Sequence, residues 1–238
     1  MTAAARPANG GSLVDHALRR VREHIAAHNL KVGDTLPGEG WFAGELGVSR
    51  AVMREAFGAL ATLRVIDVAN GRRARVGAID GSVMGASIDH AVATAQVSVA
   101  QVWDVRRTLE LRTAELAALH RTHDDAEEIA RAADAMAASR GNMDQITLHD
   151  IRFHQAIAKA SGNGLFHQIV RSFEPLMRLA VPTAWQTRLT EDQRDAIFRQ
   201  HQLIAEAIRQ EDSAGAVAAM NDHFIASIGQ QFAEAERY

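Results

Sequence analysis

Apolar residues recur at helical spacing along most of the chain, and the breaks in that rhythm divide it into segments. Ser12 stands where an N-cap belongs, and Leu13, Leu18, Val21 and Ile25 follow at mainly helical spacing through about His28. Lys31 to Asp34 reads as a turn. A short helical run from Glu39 to Leu46 is followed by Gly47, which tolerates a left-handed backbone, and by Ser49, a second N-cap. Met53, Ala56, Phe57 and Leu60 then share one helical face, so the pattern predicts two helices joined by a tight turn. After Leu63 the period changes. Val65, Ile66 and Val68 lead into Asn70-Gly71, with Arg72 to Val76 beyond, which predicts a β-hairpin. A helix-turn-helix followed at once by a hairpin is a winged helix-turn-helix, here over residues 12–77.

Residues 78–97 are rich in Gly, Ala and Ser with weak periodicity, and are expected to be a linker holding at most one short helix. From residue 98 onward every segment reads as helical. Ser98 with Gln101 forms a capping-box pattern for a helix to about Arg121, and Thr122 starts another that ends near Gly141. A third runs from about Met143 to Ser161 and stops at Gly162-Asn163-Gly164, where Asn163 serves as turn and cap residue. A fourth continues to about Val181, kinked at Pro175 and ended by Pro182. Thr190 with Gln193 caps a fifth to about Gln210, and a sixth begins near Asp212. Residues 98–238 are therefore expected to form an antiparallel all-α bundle, making the protein mainly α. Residues 1–11, small and polar, are expected to be a disordered tail.

At 238 residues the chain is long enough for two domains. It has no apolar run approaching the roughly 18 residues of a membrane span, and Met1 to Asn9 lacks the apolar core of a signal peptide, so no membrane partner and a cytoplasmic location are expected. Cysteine is absent, which leaves histidine and carboxylate as the strong metal ligands. The net charge of −3 conceals an asymmetry. Through Gly77 there are 11 Lys and Arg against 7 Asp and Glu, and beyond it 15 against 22. A basic first third joined to an acidic remainder suits a nucleic-acid module attached to a domain that does not bind nucleic acid. Within the first module Arg50 opens the second helix of the motif and Arg54 lies one turn on, about 40° round the axis. Both guanidiniums can face one polyanion, double-stranded DNA; the alternative is a solvated helix face beside Glu55.

In the bundle, Asp150 and His154 are four residues apart on one helix, so their side chains can converge on one ion. His201 and His223 lie near the midpoints of the fifth and sixth helices, which antiparallel packing can bring to one depth. One carboxylate and three imidazoles suit zinc, manganese, nickel or iron(II). The plainer alternative is that these are ordinary helix histidines among the chain's 11.

Lys31 to Val76 resembles the winged-helix domain of GntR-type transcriptional regulators. The motif elements stand here as Gly33, Leu36-Pro37-Gly38-Glu39, Gly47-Val48-Ser49-Arg50 and Arg54-Glu55-Ala56. The resemblance implies DNA contacts from Ser49, Arg50 and Arg54 and from Asn70 and Gly71 at the wing tip. It also marks two departures: Gly40 occupies a position where many members carry Arg, and the second wing glycine is replaced within Arg72-Arg73-Ala74. Gln101 to Phe232 resembles the FCD ligand-binding domain of the FadR-type branch of these regulators. Its marks are Asp104-Val-Arg106 with Glu110, Asp150 to His154, Ala160 to Asn163, His201, Asp212, Ala216, Met220 and His223. In metal-containing members the ligands fall at Asp150, His154, His201 and His223, with zinc the expected ion. Arg106 matches an arginine that faces the pocket and can pair with an effector carboxylate; an i,i+4 pair with Glu110 is the equal alternative. His149 and His167 match no ligand position and are taken as surface residues.

The expectation is a transcription factor that binds operator DNA as a homodimer over a short palindrome and represses. A small carboxylate, a sugar acid or other organic acid, would bind beside the metal and alter DNA affinity. Two other readings compete: a metal-dependent enzyme acting on a small organic acid, and a helical interaction module without DNA binding.

Overall fold

The computed structural model describes the backbone of residues 12–69 and 71–235 and the side chains through residue 226 within those limits. The tail expected over residues 1–11 and the wing-tip residue Asn70 lie outside the described residues. The chain divides into two compact units, Met1–Val83 and Met84–Tyr238.

The first unit opens with α1 (Leu13–Ala27), where Ser12 and Asp15 each accept the other's backbone N–H in a capping box. Its fully buried positions are Ala17 and Val21, whereas Leu13 at the first turn is exposed. Helix α2 (Glu39–Leu46) ends on Gly47 at φ 64°, a left-handed turn that a side chain would strain. Helix α3 (Arg50–Thr62) starts from Ser49, whose Oγ accepts the Val52 N–H at 3.2 Å. Met53, Ala56, Phe57 and Leu60 are buried in one cluster with Leu36, Phe42 and Ile66, as the helical spacing predicts. The hairpin pairs β1 (Ile66–Asp67) with β2 (Arg75–Val76) antiparallel, Ile66 opposite Val76. The chain ahead of α2 then backs β2 on its other side. The Leu36 N–H donates to the Ala74 carbonyl at 2.8 Å and the Gly33 N–H to the Val76 carbonyl at 2.9 Å. Local pattern could not announce this third extended segment, because its partner lies some forty residues ahead in the chain.

In the second unit the stretch read as a linker carries α4 (Ser82–Ala93). Its Ile88 and Val92, with Val97, pack on a cluster of Val102, Ile151, Phe173, Leu176 and Met177. At Gly85 the helix passes so close to Ser172 that a Cβ would stand 2.8 Å from that residue's carbonyl oxygen. Seven further helices follow: α5 (Val99–His120), α6 (His123–Ala138), α7 (Met143–Ala160), α8 (Gly164–Ser172), α9 (Glu174–Gln186), α10 (Glu191–Arg209) and α11 (Ser213–Ala235). Capping boxes at Ser98/Gln101, Thr122/Asp125 and Thr190/Gln193 start α5, α6 and α10, and Asn163 caps α8.

The single helix expected over residues 164–181 is in fact two. Pro175 sits in the first turn of α9, where no intrahelical partner needs its missing N–H, so it marks a start instead of a kink. Pro182 lies inside α9, which continues to Gln186 despite the lost bond. Packing offsets that loss, for Trp185 stacks on Phe198 of α10 with centroids 5.4 Å apart. The core between α5, α6, α7, α10 and α11 is built on Ile129, Phe153, Ile157, Ile204, Ile208 and Met220, all fully buried. Three alanines of α5, Ala114, Ala117 and Ala118, share that core and let its neighbours approach closely. Helix α7 touches α5, α6, α8 and α9 and is the element around which the bundle closes.

Candidate functional site

In the first unit Arg50 and Arg54 emerge from the N-terminal turns of α3, both exposed. The Arg54 side chain is 78% exposed, and its contact with Glu39, at 4.0 Å, is loose. The Arg50 guanidinium lies over Gly40: a Cβ built there would meet Arg50 Nη2 at 3.7 Å, an ordinary contact. Ser49 uses one oxygen lone pair as the α3 cap and keeps its hydroxyl proton for another acceptor. On the wing, Gly71 has φ 72° and Arg72 and Arg73 are exposed, while Ala74 turns inward and is buried in the core. The wing therefore presents cations to solvent where the motif's second glycine would leave bare backbone.

The second unit brings Asp150 and His154 of α7, His201 of α10 and His223 of α11 together, all of them buried. One ring nitrogen from each of the three histidines lies within 4.8 Å of the others. Asp150 Oδ1 stands 3.2 Å from His201 Nε2 and 4.0 Å from His154 Nε2. Two ligand atoms about 2.0–2.2 Å from one ion stand about 3.0–3.5 Å apart at octahedral or tetrahedral angles, so the Asp150–His201 pair already fits and the other ligand atoms close in by roughly an ångström. The hydrogen bonding fits a cation more directly. His201 Nδ1 donates to the Ile197 carbonyl at 2.8 Å, so its Nε2, 3.2 Å from Asp150 Oδ1, is left either to donate to that carboxylate from a protonated ring or to ligate an ion between them. Asp150 Oδ2 and His154 Nε2 are buried with no hydrogen-bond partner. A divalent ion satisfies all of these lone pairs at once.

The electrostatics favour the ligating forms. Burial, then the charges of His201 and His154, push the His223 imidazole well below its ordinary value, so it stays neutral. Burial alone would raise the Asp150 carboxyl. The His201 hydrogen bond and the surrounding cations outweigh it and hold the group well below the usual carboxylate range.

Arg106 and Glu110 of α5 extend the cluster inward. Arg106 Nε lies 2.5 Å from Glu110 Oε1, and the other Glu110 oxygen contacts His154 Nδ1. Glu110 is 1% exposed. It therefore orients the His154 ring, accepting from Nδ1–H and directing Nε2 at the cluster. Arg106 makes the i,i+4 pair with Glu110 and also lines the cavity beside the imidazoles. Its guanidinium lies 4.7 Å from the Trp103 ring and donates to Met177 Sδ at 2.7 Å. The cavity, about 30 Å³, has walls from Trp103, Met136, Ile146, Met177, Val181 and Trp185. It holds about one water as it stands, so a larger ligand requires the walls to part.

With this geometry in view, the relatives are informative. Residues 13–76 match the bacterial regulatory proteins of the gntR family, and residues 101–226 match the FCD domain. The chain belongs to the GntR family. Among similar proteins, the Glc operon transcriptional activator of Escherichia coli is 32% identical over 82% of this chain and 79% of its own length. The transcriptional repressor NanR of the same species is 26% identical over 92% of this chain and 84% of its own. A solved GntR structure from Streptococcus agalactiae superposes with a TM-score of 0.65, covering 90% of this chain and 97% of that one at 24% identity. The fold is thus that of a GntR regulator with an FCD domain. These relatives are transcription regulators and not enzymes. GntR regulators bind operator DNA, and FCD domains bind small-molecule effectors and commonly a metal. No helix among the described residues is long and apolar enough to cross a membrane.

Two residues of this GntR chain escaped sequence reasoning. Glu110 appears there as a mark of the FCD pattern and a possible partner of Arg106, with no role at the metal site; its contact with His154 joins residues forty-four apart and leaves no local trace. Arg188, in the turn after α9, also lines the cavity. Burial pushes its guanidinium down and the Asp150 charge pulls it back, and no motif marks its position. His149 and His167 stand apart from the imidazole cluster, half-buried on the far side of α7.

Proposed function

We propose that this GntR regulator is a metabolite-responsive DNA-binding switch. Asp150, His154, His201 and His223 hold a divalent ion, with zinc the first choice for three imidazoles and a carboxylate and manganese, nickel or iron(II) as the alternatives. The observation that carries the reading is the convergence of buried, unsatisfied lone pairs at Asp150 Oδ2 and His154 Nε2 on one point beside His201 and His223. When bound, such an ion offers a Lewis-acidic position to a carboxylate oxygen. Arg106 supplies a guanidinium in the same cavity, where a small carboxylate, a sugar acid or other organic acid, finds a charge-assisted partner. Ser49, Arg50, Arg54, Gly71 and Asn70 meet operator DNA, two copies of the chain reading a short palindrome. The effector changes DNA affinity by no more than its own difference in affinity for the two states. Repression is the reading adopted for the output, and a reporter fused to the operator decides it, since relatives carry both signs.

The test combines elemental analysis with a mobility-shift assay. Purified wild type is expected to carry about one ion per chain and His201→Ala far less, while Arg50→Ala loses operator binding and keeps the ion. A wild type free of metal after purification without chelator, and unable to take one up, would overturn the effector half. Unchanged operator binding by both Arg50→Ala and Arg54→Ala would overturn the DNA half.

A further inference from the structure

Helix α7 presents a second group of groove-lining residues on the face opposite its metal-site residues. At 100° per residue, His149, Arg152, Ala156 and Lys159 centre about half a turn away from Asp150 and His154. They form the middle of a groove of about 570 Å³ between α6, α7 and α8, within the usual range for small-molecule sites. Its shape has a simple cause, because the helices meet there through Ala132, Ala135 and Ala156, whose small side chains leave a depression. Four cations from three helices stand around it: Arg131, Arg152, Lys159 and Arg171.

The groove's charge runs against that of its domain. Beyond Gly77 the chain has 15 basic and 22 acidic side chains, yet Glu128 is the lone carboxylate lining this groove among the described residues. Glu128 is taken by Lys159 at 2.7 Å, and Arg131 reaches outward to Glu127 at 3.9 Å. Neither Arg152 nor Arg171 comes within 4.0 Å of a described carboxylate. His167 on the groove wall reports the resulting field: after burial, Arg171 and Lys159 push its imidazole down, with only Glu128 opposing.

We propose that this groove is a second ligand site, for a small polyanion bearing phosphate groups. Guanidiniums on separate helices can each fork onto a different phosphate oxygen, and with Lys159 taken by Glu128 and Arg131 by Glu127, Arg152 and Arg171 remain as two cations with no described carboxylate within 4.0 Å. A concavity bounded by three helices suits a compact molecule, whereas a stiff duplex lies best along an open convex stripe. Because α7 also carries Asp150 and His154, the site is placed to report on a second metabolite through one shared rigid element.

Calorimetric titration of the full-length protein at low ionic strength, with inorganic pyrophosphate as probe, tests the proposal. Saturable binding at one site per chain is expected. Arg152→Gln and Arg171→Gln are each expected to weaken it about tenfold or more with melting temperature and metal content unchanged. His201→Ala is expected to leave it intact, which separates this groove from the imidazole cluster. Four outcomes overturn the proposal: no saturable binding at millimolar probe, binding indifferent to both arginine variants, binding lost in His201→Ala, or equal affinity for sulfate and pyrophosphate. Displacement of pyrophosphate by a non-operator duplex, abolished in the two arginine variants, would assign the face to nucleic acid instead.

Discussion

Replacing Glu110 by Gln keeps the size of the side chain and removes its charge, and the structure says what that costs. Both carboxylate oxygens are engaged, one by Arg106 Nε at 2.5 Å and the other by His154 Nδ1, in a residue 1% exposed. An amide offers one acceptor and a donor, so one of the two N–H groups loses its partner and the Arg106 charge loses its counter-ion. Breaking a buried pair from one side costs about 3–5 kcal/mol. Arg106 keeps the Trp103 and Phe224 rings at 4.7 and 5.4 Å in both proteins, so those contacts cancel in the difference. A loss of about 3–5 kcal/mol is expected, a large share of a typical domain's stability of about 5–15 kcal/mol. Separately, the His154 ring loses the group that orients it, and metal affinity is expected to fall about 10–100-fold. Urea unfolding of chelator-treated protein reads the first effect, and competition with a coloured chelator reads the second. Glu115→Gln, on the exposed face of the same helix, is the control and should stay within about 0.5 kcal/mol of wild type. If Glu110→Gln matches that control in both assays, the bridging role assigned to Glu110 is wrong. Acid should act in the same direction. Burial opposes the charge on Glu110, but Arg106 and His154 hold its carboxyl below the ordinary 4.5. The stability it contributes is therefore present above that value and lost as pH falls below it.

Further outcomes are expected elsewhere. Arg50→Ala and Arg54→Ala should each weaken operator binding by about 1–3 kcal/mol where the residue reads a base, or lower the salt slope by about one where it meets phosphate, as fluorescence anisotropy across salt concentrations distinguishes. Gly40→Arg should fold normally, since a Cβ there meets only the Arg50 guanidinium at 3.7 Å, and should steepen the salt dependence of DNA binding by about one. A slope equal to that of wild type would show that residue 40 does not face phosphate. Because His223 is held neutral to well below 6.5, bound metal should survive acidification through that value and be released only at lower pH, when protons compete for the ligands. Dialysis at stepped pH with elemental analysis checks this, and release centred on 6.5 would contradict it.

Features that depend on a few neighbouring residues were legible in the sequence. The caps at Ser98/Gln101 and Thr190/Gln193, the left-handed turn at Gly47 and the buried stripe from Met53 to Leu60 follow from hydrogen bonds and periodicity within about two helical turns. The i,i+4 spacing of Asp150 and His154 places both on one face of α7 by the same reasoning. Local rules reached less far where packing selects among permitted options. They counted Leu13 in the apolar series of α1, whereas it is exposed and the helix buries Ala17 and Val21; they took Pro182 as a stop, whereas the bundle keeps α9 helical to Gln186. They were silent on Gly85 against Ser172, on Glu110 against His154, and on the basic groove, which draws residues from three helices. The sequence by itself determined most of the helix starts, where the wing lies and which residues are candidates for the chemistry, because those depend on short-range sterics and hydrogen bonding. Only the tertiary structure decided that three helices deliver His154, His201 and His223 to one buried point with Glu110 behind them, because such a meeting depends on how whole helices pack.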